Sequence, residues 1–219
     1  MLWSDVSIGT AASWELSALV ITASYGLGCF AAGYYLVLWR RGADIRSRGS
    51  GSAGATNVSR ALGPAGFALT FALDMGKGAL ASWLAIHFHL GPVAQLASML
   101  AVISGHIWPA QLRFRGGKGI ATLAGSVLVA DYRIFLLVPV LFLIPFALLR
   151  RFTLSGLAAL AATPLVLALW LTSASRALGF LILLLPIFWA HRENIREDLA
   201  SMQVGMRRDS SGGHSARKE

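Results

Sequence analysis

Residues 67–90 read FALTFALDMGKGALASWLAIHFHL. The apolar segment near 64–90 that contains them is long enough to cross a bilayer, which takes about 20 such residues as a helix. It carries two charges, Asp74 and Lys77. Each alone would cost roughly 2.5–3.5 kcal/mol at a helix centre in lipid. Three residues apart, they share one helical face, so they are expected to turn into a bundle and pair. A structural lock and a substrate pathway are both compatible with such a pair. Either way a lone span is excluded, because the pair needs neighbouring helices to hide it from lipid.

The rest of the chain supplies those neighbours. Further apolar segments lie near 15–39, 94–112, 119–131, 133–149, 153–171 and 174–190, giving an expected all-α polytopic membrane protein of about seven transmembrane helices. The fourth, at 119–131, is short for a crossing. Composition agrees: 56% of the 219 residues are hydrophobic and 13% charged, with a mean hydropathy of +0.64. A soluble core could not hide that much apolar surface. Asp5 and Glu15 stand where a signal peptide would be basic, so the first run is expected to be retained. Cys29 is the sole cysteine and forms no intramolecular disulfide. Residues 1–202 are read as one membrane-embedded domain, and 203–219, polar and Ser/Gly-rich, as a disordered cytoplasmic tail.

Charge orients the bundle. Arginines 40, 41, 46, 48 and 60, then Arg113, Arg115 and Lys118, then Arg150 and Arg151, then the run from Arg192 onward, all fall at one end; the other has Arg133 and Arg176. The positive-inside rule places the N-terminus in the periplasm and the C-terminus in the cytoplasm. This topology and attraction to anionic membrane lipids account for about half of the basic residues. No nucleic-acid partner is expected.

Three clusters at the basic end ask for more. In DIRSRGSGSAGATNVSRALGP, residues 44–64, Gly49, Gly51 and Gly54 have GxGxxG spacing. A dinucleotide turn needs a preceding strand, and here an apolar helix precedes it. What remains is backbone N–H groups able to converge on an anion, donors at Ser50, Thr56 and Asn57, and charge at Arg46, Arg48 and Arg60. An ordinary interhelical turn is the competing reading. In RFRGGKGIAT, residues 113–122, Gly116, Gly117 and Gly119 flank Lys118 ahead of a helix starting near Gly119, without the Walker pattern. This favours a simple phosphate group, approached by glycine N–H groups. In FWAHRENIRED, residues 188–198, His191 and Asn194 share a face, as do Arg192 and Arg196. A solvated helix end would look similar. His106 is read as a packed polar group, and His87 and His89 as incidental. No His, Cys and carboxylate set has metal-ligand spacing, so no metal is expected.

Taken in order, GSGSAGATNVSR at 49–60, GGKGIAT at 116–122 and HRENI at 191–195 resemble the bacterial acyl-phosphate:glycerol-3-phosphate acyltransferase family, with supporting likeness in LDMGKGAL and GHIWPAQLRFRGGKG. The resemblance spans roughly residues 20–200. It implies seven helices in the bacterial inner membrane, an acyl phosphate donor and glycerol 3-phosphate as acceptor, with 1-acyl-glycerol 3-phosphate as product. It implies no cofactor and no acyl-CoA, in keeping with the absence of an HxxxxD pattern. The enzyme that makes acyl phosphate is a further expected partner. By resemblance Ser50, Arg60, His191 and Asn194 are catalytic, Lys118 and its glycines form the glycerol-phosphate loop, and Thr153 joins the substrate-binding set.

Two positions depart from the family pattern. Ser52 and Ala53 stand where Asn-Pro is usual, and Glu197 where a basic residue is usual. The second reverses charge beside the expected site and bears on acceptor preference. A transporter of phosphorylated metabolites is the competing class, but its site would lie near the bilayer midplane. A diverged acyltransferase with another acceptor is the nearer alternative.

Overall fold

The computed structural model describes residues 13–169 and 174–212, with side chains through Ser201. Residues 1–12, including Asp5, and 213–219 lie outside the described residues. Eight α-helices, two short 3-10 turns at Ile45–Ser47 and Ala110–Leu112, and no strand occur among the described residues: α1 Trp14–Cys29, α2 Ala32–Arg41, α3 Ala55–His87, α4 Pro92–Ile107, α5 Ile120–Ala130, α6 Tyr132–Leu149, α7 Phe152–Leu169 and α8 Ala174–Gly212. Each apolar segment of the sequence coincides with a helix, the first being divided between α1 and α2. Trp14–Arg41 taken across that division, Pro92–Leu112, α6, α7 and Ala174–Ser201 are long and apolar enough to cross a membrane. At 11 residues α5 is too short to cross alone. Helix α8 runs to Gly212, into the stretch read from sequence as a disordered tail.

Glycine lets the central helices touch backbone to backbone. A Cβ at Gly78 would meet Thr122 O at 2.1 Å, and one at Gly125 would meet Met75 O at 1.8 Å, which seats α3 directly on α5. Gly28 and Gly105 do the same for α1 and α4, facing Val102 O and Tyr25 O at 2.3 Å each. Such contacts suit helices in lipid, where close van der Waals packing has to replace the hydrophobic drive. Around them lies the core of Val102, Ile103, Leu123, Leu160, Leu184 and Ile187. Helix α6 stays peripheral, with Val140, Leu143, Ile144 and Leu148 exposed.

The division at Phe30 and Ala31 corrects the expectation of one continuous first helix. A break in a membrane helix strands carbonyls that lipid cannot satisfy. Here they have donors: Lys77 Nζ bonds Gly28 O at 3.0 Å and Phe30 O at 2.8 Å, and Gln111 Nε2 bonds Cys29 O. The ammonium also meets Asp74 Oδ1 at 3.0 Å and His106 Nδ1 at 2.8 Å. The Asp74–Lys77 pair is therefore inward-facing, as the sequence implies, and it serves as a cap for the broken helix. A second discontinuity, at Gly63 (φ 74°) and Pro64, bends α3.

Candidate active site

The loop from Gly42 to Gly54 is organised by one side chain. Asn57, 2% exposed in the first turns of α3, accepts from Ser50 N at 3.1 Å and donates to Ile45 O, Arg48 O and Ser52 O at 3.2, 2.9 and 2.9 Å. Gly49 (φ 56°) allows this, since its Cβ would lie 2.2 Å from Asn57 Oδ1 and 3.2 Å from Arg60 Nη1. The remaining glycine N–H groups close on the loop itself, Gly51 N on Arg48 O and Gly54 N on Ser52 Oγ. Of the three glycines expected to offer backbone N–H groups to an anion, Gly51 and Gly54 thus have theirs engaged within the loop. What the loop leaves exposed is side chain: Ser50, Thr56 and the Arg60 guanidinium.

Arg46 also has a different job from the one its charge suggested. It pairs with Asp44 at 2.7 Å and reaches across to Leu112 O at 2.6 Å. The Arg46 guanidinium, hydrogen-bonded to Asp44, holds that carboxyl below the usual carboxylate range. Ala53 N adds a bond to Gly116 O at 3.0 Å, one a proline there could not make. These contacts fasten the first loop to the second.

In the second loop, Arg113 (φ 56°) and Phe114 (φ 59°) turn the chain through the left-handed region. Gly116 N and Gly117 N then bond Ile107 O and His106 O, each at 3.0 Å. The N–H groups expected to face an acceptor phosphate are thus consumed by the end of α4. The two glycines are required by packing instead. A Cβ on Gly116 would fall 2.1 Å from His106 O, and one on Gly117 2.0 Å from His106 Nε2. His106 itself is 4% exposed and held by Lys77. The Asp74–Lys77–His106 group therefore forms the platform under this loop, a link the sequence reading missed because nothing in the spacing joins position 106 to position 117.

The loop ends by presenting Lys118. Gly119 (φ 87°) is the residue before α5, as expected, and packs on Ile103, Ile107 and Ile187. Lys118 Nζ donates to Asn194 Oδ1, joining the second and third clusters. Burial pushes the Lys118 ammonium below the usual lysine range, with Glu197 opposing the shift and Arg60 adding to it. Lys118 and Asn194 are thereby in contact, with Arg60 and Glu197 within electrostatic range, although the four are drawn from three segments.

His191 is 3% exposed, with Nδ1 at 2.8 Å from Ile187 O. A carbonyl can only accept, so Nδ1 carries the proton and Nε2 keeps a lone pair. Arg192 and Arg196 lie on the exposed face, the first 3.9 Å over the Trp189 ring and both paired with Glu193. Thr153 is half-buried in the first turn of α7, and Arg151 beside it pairs with Asp198 at 3.0 Å, which ties that connection to α8. No group of three or more His, Cys, Asp or Glu able to hold a metal occurs among the described residues.

A sequence model described as glycerol-3-phosphate acyltransferase matches residues 18–201. Glycerol-3-phosphate acyltransferase 1 of Desulfitobacterium hafniense (strain Y51) is 44% identical over 185 residues, covering 84% of this chain and 91% of that protein. The glycerol-3-phosphate acyltransferase of Prochlorococcus marinus (strain NATL1A) is 38% identical over 184 residues, covering 82% and 93%. Among solved structures, PlsY (YgiH), an integral membrane glycerol 3-phosphate acyltransferase, superposes in its glycerol 3-phosphate form with a TM-score of 0.76 at 29% identity, covering 84% of this chain and 92% of that one. Its lysophosphatidic acid form gives 0.73 at 27% identity. With most of both chains matched in sequence and in helical architecture, this integral membrane protein belongs to the glycerol-3-phosphate acyltransferase family.

Proposed function

We propose that the protein transfers an acyl group from an acyl phosphate to the 1-hydroxyl of glycerol 3-phosphate, releasing phosphate and 1-acyl-glycerol 3-phosphate. The observation that carries this reading is the meeting of Lys118 with Asn194, one helical turn from His191, whose Nδ1 is turned to Ile187 O. A cation that can neutralise a phosphate and a base that can address a hydroxyl are then brought together where the second loop meets α8. Arg60, beside Gly49, and the exposed Ser50 hydroxyl bring a second charge and a second donor for the donor phosphate.

An acyl phosphate is a mixed anhydride with a good leaving group, so neutralisation and alignment suffice for catalysis. In the proposed step the acceptor oxygen attacks the acyl carbon while His191 Nε2 takes its proton. The bond from acyl carbon to phosphate oxygen breaks, the phosphate leaves with the electron pair, and the proton passes to it from Nε2. Lys118 and Asn194 hold the acceptor. The topology read from charge, with the arginine-rich end at the cytoplasmic face of the inner membrane, gives glycerol 3-phosphate direct access. Purified protein should form product from palmitoyl phosphate and glycerol 3-phosphate, and none from palmitoyl-CoA. Product from the CoA ester alone, or from neither donor, overturns the reading.

A further inference from the structure

Between α2 and α3 lies a groove of about 390 Å³ whose lining includes none of the residues assigned to the reaction. Its walls are Leu36 of α2 and Leu62, Ala65 and Leu69 of α3, and it ends against Arg40 and Arg41. The bend at Gly63 and Pro64 redirects α3 beside α2. Gly66, also lining the groove, contributes no side chain to fill it.

The two arginines close α2 at the limit of the apolar stretch Trp14–Arg41, where a headgroup would sit. Trp39, 78% exposed beside them, is the kind of aromatic found at that depth. Among the described residues no carboxylate pairs with Arg40 or Arg41, a condition they share with Arg48, Arg60, Arg113, Arg115, Arg133 and Arg150; what sets them apart is that both close one apolar groove. Arg41 donates to Ala61 O at 3.1 Å, and Arg40 lies 5.3 Å from the Trp39 ring, so neither charge is neutralised.

An apolar slot ending in two uncompensated cations matches one chemistry, a hydrocarbon chain joined to an anion. Basic pockets between helices at the cytoplasmic membrane face bind anionic headgroups for this reason. We propose that the α2/α3 groove is a binding site for an anionic phospholipid of the surrounding membrane, with one acyl chain along Leu36, Leu62 and Leu69 and the phosphate between Arg40 and Arg41. The bond from Arg41 to Ala61 then connects this site to the turn of α3 that carries Asn57 and Arg60.

Native mass spectrometry of the intact protein, released from neutral detergent with phosphatidylglycerol or phosphatidylcholine of matched chains, tests the site. Two interfacial arginines at about fivefold each predict retention of phosphatidylglycerol favoured by roughly thirtyfold. Arg40→Gln should reduce that preference about fivefold, and Ala65→Phe should lower retention of both lipids by filling the slot. Both variants should keep acyltransfer activity in lipid-free detergent, which shows that they fold. Equal retention of the two lipids by the unaltered protein, or retention indifferent to both substitutions, overturns the proposal. So does displacement of phosphatidylglycerol by a long-chain acyl phosphate, which would make the groove part of the donor site.

Discussion

Replacing Gly117 with alanine separates two explanations of the same residue. If the glycine exists so that substrate phosphate can approach, the added methyl should raise KM for glycerol 3-phosphate and leave the fold alone. The structure predicts something else, because the methyl would lie 2.0 Å from His106 Nε2 and 2.6 Å from Cε1. The ring cannot turn aside freely, being 4% exposed with Nδ1 at 2.8 Å from Lys77. Overpacking of this kind costs about 1–3 kcal/mol, and a shift of about 1 Å in Lys118 would lower turnover about a hundredfold. Removing the ring should undo much of this damage. Lys77 bonds Gly28 O, Phe30 O and His106 Nδ1 and pairs with Asp74 Oδ1 at 3.0 Å, so His106→Ala still leaves the ammonium two carbonyl acceptors and its carboxylate. In a double-mutant cycle measured by denaturation in detergent, Gly117→Ala with His106→Ala should therefore be more stable than the sum of the single effects by about 1–3 kcal/mol. Additivity within about 0.5 kcal/mol, with an isolated rise in the acceptor KM, would refute the platform and restore the substrate-approach explanation.

Four further outcomes are open to measurement. Lys118→Ala should raise KM for glycerol 3-phosphate well above any change for the acyl phosphate and flatten the salt dependence of acceptor binding, since a screened charge is removed; steady-state kinetics with each substrate varied separately reads both. Because burial lowers the Lys118 pKa and Glu197 opposes that shift, the charged form is present below the folded pKa and lost as pH rises through it. Acceptor binding should accordingly weaken at a pH below the ordinary lysine range, and Glu197→Gln should move that onset lower still; an unmoved profile would make the glutamate a mere surface charge. His191→Ala should cut kcat by about 10²–10⁴ with little change in KM, alongside a loss of stability from the cavity a buried ring leaves, and Asn57→Ala should impair use of both substrates through collapse of the first loop, seen as faster proteolysis between positions 42 and 54.

Much of the architecture could be read from hydropathy alone, because the length and spacing of apolar runs are local properties that lipid enforces. That Asp74 and Lys77 turn inward was legible for the same reason: lipid leaves a charged pair nowhere else to go. The gathering of Lys118 with Asn194 could be expected only as a resemblance, since the two positions meet through the packing of α8 beside the second loop. The glycines were harder. GxGxxG and GGKG spacing speak of backbone freedom without saying which neighbour demands it, and Gly51, Gly54, Gly116 and Gly117 direct their N–H groups to protein acceptors, Arg48 O, Ser52 Oγ, Ile107 O and His106 O.

The sequence by itself determined a helical membrane bundle, its basic end, and three clusters of polar residues assembled there. Hydropathy, charge and residue type suffice for these because each acts over a turn or two of chain. Only the tertiary structure decided what the buried ammonium of Lys77 does. Its carbonyl partners at Gly28 and Phe30 and its ring partner at His106 lie 49, 47 and 29 residues away in the chain. A broken helix, the lysine that caps it, and the histidine that supports the Lys118 loop are consequences of which backbones glycine allows to touch, and contact across such separations leaves no periodic trace in a single sequence.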